Sequence, residues 1–135
     1  MTGSATDADA IVLLRHIPGG VHYQGKPPPR ITSENFKLRR NRDSGGIEAG
    51  ISVSTAKYGN LLCDARRVLG LRGTGRDSRI AYARKQAVES AGFLIQDDPI
   101  PDDASHCIIR SATTRLEDHS GRKRLAETFD WVELS

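Results

Sequence analysis

Apolar residues follow two kinds of spacing along the chain, and the shorter spacing predicts strands. Residues 47–53 place apolar side chains at every second position, the clearest strand pattern in the sequence. Residues 11–17 form a short apolar run ended by proline and glycine, which predicts a buried strand, with one turn of helix as the alternative. Further strands are predicted at 33–38, on an edge of the sheet, and at 93–95 and 104–111.

Apolar residues spaced by three and four positions predict helices. Residues 57–69 carry such a stripe, and Gly70 is placed to end that helix. Residues 79–91 fit either a helix throughout or a short strand followed by a helix that begins near Arg84. A last helix is predicted near the carboxyl end of the chain, with Ser120 as its N-cap.

This order of elements predicts an α+β fold. The sheet is expected to be small and partly antiparallel, with about four or five strands and about three accompanying helices. A length of 135 residues suits one hydrophobic core. We therefore expect residues 1–10 to form a flexible leader and residues 11–135 to form a single α+β domain.

The composition favours a cytoplasmic protein with no membrane partner. No run approaches the roughly 18 apolar residues of a membrane span, and the first residues lack the basic and apolar regions of a signal peptide. Cys63 and Cys107 are too few for a disulfide framework, and we predict that both are small buried residues.

Charged residues are sorted into segments, although the formal net charge is only +3. Residues 26–42 and 66–85 are basic, whereas residues 97–103 form an acidic loop that contains two prolines. The planar guanidinium of arginine suits the recognition of carboxylates and phosphates. The candidate binding residues are Arg39, Arg40, Arg42, Arg66, Arg67, Arg72 and Arg76. They predict a protein partner, a nucleic acid or another phosphate-bearing ligand; the alternative is that these arginines pair with the acidic loop or are simply solvated.

Motifs for metal or nucleotide chemistry are weak. No two of the four histidines have an i, i+4 spacing and no Cys-x-x-Cys occurs, so we predict no metal and no cofactor. The glycine-rich segment 70–78 is suited to anion binding, but it lacks the Gly-Lys-Ser/Thr ending of a P-loop. We interpret it as a connector between helices.

One constellation carries a possible enzymatic interpretation. Arg15, then Ser52-Val53-Ser54, then Gln86 and Glu89 resemble the order of Arg, Ser-x-Ser and Glu in NAD-dependent ADP-ribosyltransferases. The resemblance implies that Arg and Ser hold the dinucleotide while the carboxylate stabilises a developing oxocarbenium charge. The glutamate motif here is Gln-x-x-Glu rather than Gln-x-Glu. The candidate catalytic residues are Arg15, His16, Ser52, Glu89 and His106.

A broader similarity covers most of the chain. The blocks are Leu13-Leu14-Arg15-His16-Ile17-Pro18, Ile31-Thr32-Ser33 with Phe36, Gly50-Ile51-Ser52-Val53, Asp98-Pro99-Ile100-Pro101 and Ala104-Ser105-His106-Cys107-Ile108-Ile109. They resemble recurring blocks of small bacterial proteins of unknown function. The resemblance implies one compact domain, a bacterial origin and a short strand near Tyr82, and it implies no activity. A site built on these blocks would use Arg15, His16, Ser33, Phe36, Ser52 and His106.

Together these features predict a non-enzymatic binding or interaction module that uses an arginine-rich face to bind a protein partner or nucleic acid. One alternative is a small nucleotide-directed enzyme of ADP-ribosyltransferase-like type. Another is an immunity or antitoxin-like partner protein, whose acidic loop at 97–103 masks a basic enzyme. The sequence predicts no oligomeric state.

Overall fold

The computed structural model describes residues 8–17, 31–36, 50–72 and 78–133. The strands within these ranges are β1 (Ile11–Ile17), β2 (Ile51–Lys57), β3 (Arg79–Arg84), β4 (Phe93–Asp97), β5 (His106–Ser111) and β6 (Asp130–Trp131). The α-helices are α1 (Leu61–Arg72), α2 (Lys85–Ser90) and α3 (His119–Ala126), and two 3-10 helices span Ser33–Phe36 and Tyr58–Asn60.

The strands form one sheet in the order β4-β5-β2-β1-β3-β6, and neighbouring strands are antiparallel throughout. The predicted α+β class is confirmed, but within the described residues the sheet has six strands rather than four or five, and all of their pairings are antiparallel. The additional strand, β6, is two residues long and pairs Asp130 with Tyr82 and Trp131 with Ala81. A strand this short has no alternation for a sequence pattern to reveal.

Alternation along β1 separates two apolar layers. Leu13 and Ile17 point to the side covered by α2, α3 and the first 3-10 helix, where the larger core also buries Phe36 and Phe129. Val12 and Leu14 point to the other side, where they pack with Ala65 and Val68 of α1. The predicted strand at 11–17 is confirmed, because burial on both sides requires a continuous apolar run.

The segment 33–38 was expected to be an edge strand, and for its first four residues this is wrong. Ser33–Phe36 is a 3-10 helix. The main-chain N–H of Asn35 donates to the carbonyl of Thr32 at 3.0 Å, while the Asn35 side-chain oxygen accepts from the Thr32 N–H at 3.0 Å. This local turn carries Phe36 into the core, where its ring lies 4.9 Å from that of Phe129.

The boundaries of α1 differ from the prediction at both ends. Strand β2 continues to Lys57, so the helix begins at Leu61 instead of residue 57. Gly70 does not end the helix, which continues to Arg72. A side chain at Gly70 would meet no atom within 4 Å, so this position lies on an open helix surface.

The ambiguity at 79–91 is resolved in favour of a strand followed by a helix, β3 and then α2. Gly92 follows α2 with a positive φ of 102°, a conformation that favours glycine. Ser120 was expected to cap the last helix but lies inside α3, whose N-cap is Asp118. The i, i+4, i+7 spacing of Leu125, Phe129 and Val132 predicts a longer helix, but the helix ends at Ala126, and Phe129 and Val132 flank the short strand β6.

Candidate functional site

The carboxylate of Asp103 is only 3% exposed and is bonded by several partners. The hydroxyl of Ser54 donates to its Oδ2 at 2.5 Å. The hydroxyl of Ser105 donates to its Oδ1 at 2.6 Å, and the Ser105 main-chain N–H does so at 3.0 Å. The Nη1 of Arg67 lies 3.4 Å from the same oxygen. Three separate elements therefore converge on one buried charge.

The sheet register places this centre. Ser54 of β2 is opposite His106 of β5. Since the main-chain N–H of Thr55 donates to Ser105, the Ser54–His106 pair is of the non-hydrogen-bonded type, which brings side chains closer together. Both face the side of the sheet on which α1 lies. In the loop before β5, a bridge between Ile100 and Asp103 turns the chain back. This turn places the Asp103 carboxylate within hydrogen-bonding distance of Ser54.

The environment of Asp103 keeps it ionised. Burial by itself would raise the pKa of the carboxyl, but the hydrogen bonds from Ser105 and Ser54 and the charge of Arg67 outweigh it and lower the pKa to about 2. At neutral pH the group is therefore a fixed anion paired with an arginine. A carboxylate with this pKa does not serve as a general acid near neutrality.

His106 is buried beside this centre, with 6% of its surface exposed. Its Nδ1 lies 2.9 Å from the main-chain oxygen of Asp98 and 3.2 Å from one oxygen of the Asp98 carboxylate. Because both neighbours are acceptors, Nδ1 carries a proton and donates. His106 thus connects the first residue of β5 to the start of the acidic loop, at the residue that directly follows β4.

Arg15 lies on the opposite side of the sheet. Its Nε and Nη2 donate to the carbonyl of Asn35 at 3.3 and 3.1 Å, and its Nη1 donates to the carbonyl of Ser52 at 3.0 Å. Its guanidinium also lies 5.8 Å from the centre of the Phe36 ring. These bonds give Arg15 a structural role, in which it joins β1 and β2 to the 3-10 helix that carries Phe36.

The ADP-ribosyltransferase-like residues do not converge in the described structure. Glu89 is exposed on α2, where it lines an open groove of about 420 Å³ with Ile11 and Arg84. Arg15 lies four residues further along β1 than Ile11, a distance of about 13 Å along a strand. Ser52 is paired with Ile108, on the side of the sheet opposite to the Arg15 side chain. His16 also lies on the α1 side, opposite Ile80 in the register.

The predicted binding arginines are only partly described. Arg39, Arg40, Arg42 and Arg76, together with the side chain of Arg72, lie outside the described residues. Arg66 and Arg67 both belong to the solvent-facing half of α1. We call this half the α1 outer face; its members are Leu62, Cys63, Arg66, Arg67, Gly70 and Leu71. The prediction that Cys63 is buried is wrong, because this thiol is exposed, whereas Cys107 is buried as expected.

One arginine pairs with the acidic loop, as the alternative interpretation of the charge pattern expected. Besides its contact with Asp103, Arg67 donates through Nε to Asp64 at 3.2 Å and through Nη2 to the Ser105 hydroxyl at 3.3 Å. Sequence reasoning missed Ser54, Asp103 and Ser105 as a group. The available signal was the Asp-x-Ser spacing, since an aspartate often accepts from the main chain two residues later.

None of the described helices has the length and apolar character needed to cross a lipid bilayer. Within the same ranges, no three His, Cys, Asp or Glu side chains are grouped so as to ligate a metal ion. No protein-family model matches the chain, and comparisons with curated proteins and with solved structures found no similar protein. The resemblance to small bacterial proteins therefore stays a prediction.

Proposed function

We propose that this protein is a binding module that docks a protein partner onto the α1 outer face. The observation that carries the proposal is the composition of this face. Leu62 and Leu71 are 42% and 40% exposed at its two margins, and Arg66 lies between them. The one carboxylate of the helix, Asp64, is bonded to Arg67.

This composition favours a protein over a nucleic acid. Protein interfaces combine apolar side chains with arginine and exclude most other charged residues from their centre. The phosphates of a nucleic acid would bind the arginines of the face and leave Leu62 and Leu71 exposed to water. The complementary partner is therefore a protein surface that presents a carboxylate between apolar side chains.

The buried carboxylate supports the same proposal by fixing the geometry of the face. Arg67 is held by Asp64, Asp103 and Ser105, so its long side chain is already ordered before any partner arrives. Binding then costs less side-chain entropy, which is on the order of 0.5–1.5 kcal/mol for each immobilised side chain. In this proposal the polar centre supports a binding surface and takes no part in a reaction.

The proposal is tested by comparing two charge reversals on opposite sides of the sheet. Immobilised wild-type protein, Arg66→Glu and Lys123→Glu are incubated with extracts of cells that express the protein naturally, and the retained proteins are quantified. Lys123 is an exposed residue of α3, on the side away from α1. We expect a protein retained by the wild type and by Lys123→Glu and lost with Arg66→Glu. Equal retention by all three would refute the proposal.

A second arm examines the nucleic-acid alternative. Anisotropy of labelled duplex DNA, single-stranded DNA and RNA is measured with the wild type and Arg66→Glu over about 50–200 mM salt, a range in which phosphate contacts weaken steeply. We expect no salt-sensitive binding that depends on Arg66. Binding that falls with salt and is weakened by Arg66→Glu would replace the protein partner with a nucleic acid.

A further inference from the structure

The outer edge of β4 is open in the described part of the chain. Strand β4 pairs with β5 on one side, and no described strand pairs with its other side. The main-chain N–H of Asp98 donates to the carbonyl of His106. Along an antiparallel strand, the main-chain N–H and C=O groups of successive residues point alternately toward the paired strand and away from it. It follows that Leu94 and Gln96 bond inward to β5, whereas Phe93, Ile95 and Asp97 direct their N–H and C=O groups outward.

This edge lacks three common protections against pairing. Edge strands are commonly guarded by lysine, proline or a bulge, and the sequence Phe-Leu-Ile-Gln-Asp contains no lysine and no proline. All five residues are in continuous register with β5, so no bulge interrupts it. Leu94 is 58% exposed, the highest value among the exposed large apolar residues of the described chain.

We propose that two copies of this protein associate through antiparallel pairing of their β4 strands. Ile95 is the middle residue of this five-residue strand, and its main-chain N–H and C=O groups point away from β5. A two-fold axis beside Ile95 therefore pairs Ile95 with Ile95 and Phe93 with Asp97 of the second copy. All three outward residues then find partners, in up to about six main-chain hydrogen bonds.

The same register suits the side chains. Leu94 lies opposite Gln96 of the second copy and diagonal to its Leu94, within reach for a long side chain. The two Asp97 carboxylates lie at opposite ends of the strand pair, about 13 Å apart along the strands, so like charges do not meet. The symmetric arrangement closes on itself, which fits a second copy better than an arbitrary peptide.

The size of the contact sets its expected strength. A pair of five-residue strands buries less than the roughly 1,600 Å² of a standard stable interface. We therefore expect monomer and dimer to exchange, with association in the range of about 10–500 µM. In the sheet order β5 separates β4 from β2, β1 and β3, the strands that α1 contacts, so the β4 edge is distinct from the α1 outer face.

Sedimentation equilibrium over this concentration range tests the proposal, with Leu94→Lys and Leu71→Lys as a matched pair of variants. The wild-type mass should rise from 14.8 kDa toward twice that value. Leu94→Lys should stay monomeric, because a lysine on an edge strand disfavours pairing and here lies diagonal to the like-charged lysine of the second copy. Leu71→Lys, an exposed leucine of α1, should dimerise as the wild type does. A wild type that stays monomeric, or a Leu94→Lys that dimerises equally, would overturn the proposal.

Amide hydrogen exchange identifies the edge directly and does not depend on substitutions. At low concentration the amides of Phe93, Ile95 and Asp97 should exchange quickly, while those of Leu94 and Gln96 are protected by β5. At high concentration the three outward amides should gain protection together. A dimer that forms without this gain would place the contact elsewhere and refute the β4 edge. Loss of partner binding in Leu71→Lys with unchanged dimerisation would separate this proposal from the one for α1.

Discussion

The substitution Asp103→Asn gives the sharpest stability prediction. Its carboxylate is buried and accepts from Ser54 and Ser105, and it faces Arg67. These partners lower the pKa from 3.8 to about 2. A difference of this size between the folded and unfolded chains corresponds to about 2 kcal/mol of stability at pH 7. The amide keeps the shape and removes the charge, so we expect a loss of about 2 kcal/mol.

The effect has a defined dependence on pH. Because the folded-state pKa of Asp103 lies below its unfolded value, the stabilisation is fully present above about pH 4 and is lost as the pH falls through about 2. Urea unfolding followed by circular dichroism at pH 7, 5, 4 and 3 measures it. The difference between the wild type and Asp103→Asn should fall to about half its neutral value by pH 3. The melting temperature at pH 7 should fall by about 5–10 °C.

Asp102→Asn is the matched control, because it removes a carboxylate from the adjacent, exposed position of the same loop. It should change stability by less than about 0.5 kcal/mol at any of these pH values. Equal destabilisation by the two variants would show that the loop as a whole, and not the buried carboxylate, carries the effect. A difference that is independent of pH would refute the electrostatic reasoning.

Three further measurements follow from the structure. Gly121→Ala should lose about 1–3 kcal/mol, because a Cβ there would clash with the main-chain oxygen of Arg115, while Gly70→Ala in open space should gain about 0.5–1 kcal/mol. Chemical denaturation compares the two variants, and equal effects would contradict the packing. In the native protein a chromogenic thiol reagent should modify Cys63 and spare Cys107, whose pKa burial raises to about 11; rapid modification of both contradicts this. Arg15→Lys should lose about 1–3 kcal/mol in the same denaturation assay, because lysine cannot make the three bonds of the guanidinium, and an unchanged midpoint would refute that role.

The strands and helices were predictable where the pattern of apolar residues along the sequence directly reflects which side chains are buried. The apolar run at 11–17 is buried on both sides of the sheet, and the pattern reports that burial directly. The turn at 33–36 was mistaken for a strand, because the same spacing of apolar residues fits either conformation. What decides it is the hydrogen bonding between Thr32 and Asn35 and the contact of Phe36 with Phe129, and the latter is invisible in sequence.

The polar centre could not be predicted for a similar reason. The acidic loop at 97–103 has the composition of a solvated surface loop. Its last residue is buried by partners that are distant in sequence, Ser54 at 49 positions and Arg67 at 36 positions away. Only the register of β2 with β5 and the position of α1 bring them together. Arg15 was predicted to bind a ligand because of its chemistry, whereas its guanidinium donates to main-chain carbonyls of the chain itself.

Photo-crosslinking in cells that express the protein shows whether the α1 outer face contacts a protein partner. A photoreactive amino acid is placed at Leu62 and, as the control, at Lys123 on the far side of the sheet. We expect a discrete adduct with a second protein species from position 62, absent from position 123 and lost when Arg66→Glu is added. No adduct from position 62, or the same adduct from both positions, would contradict the proposal.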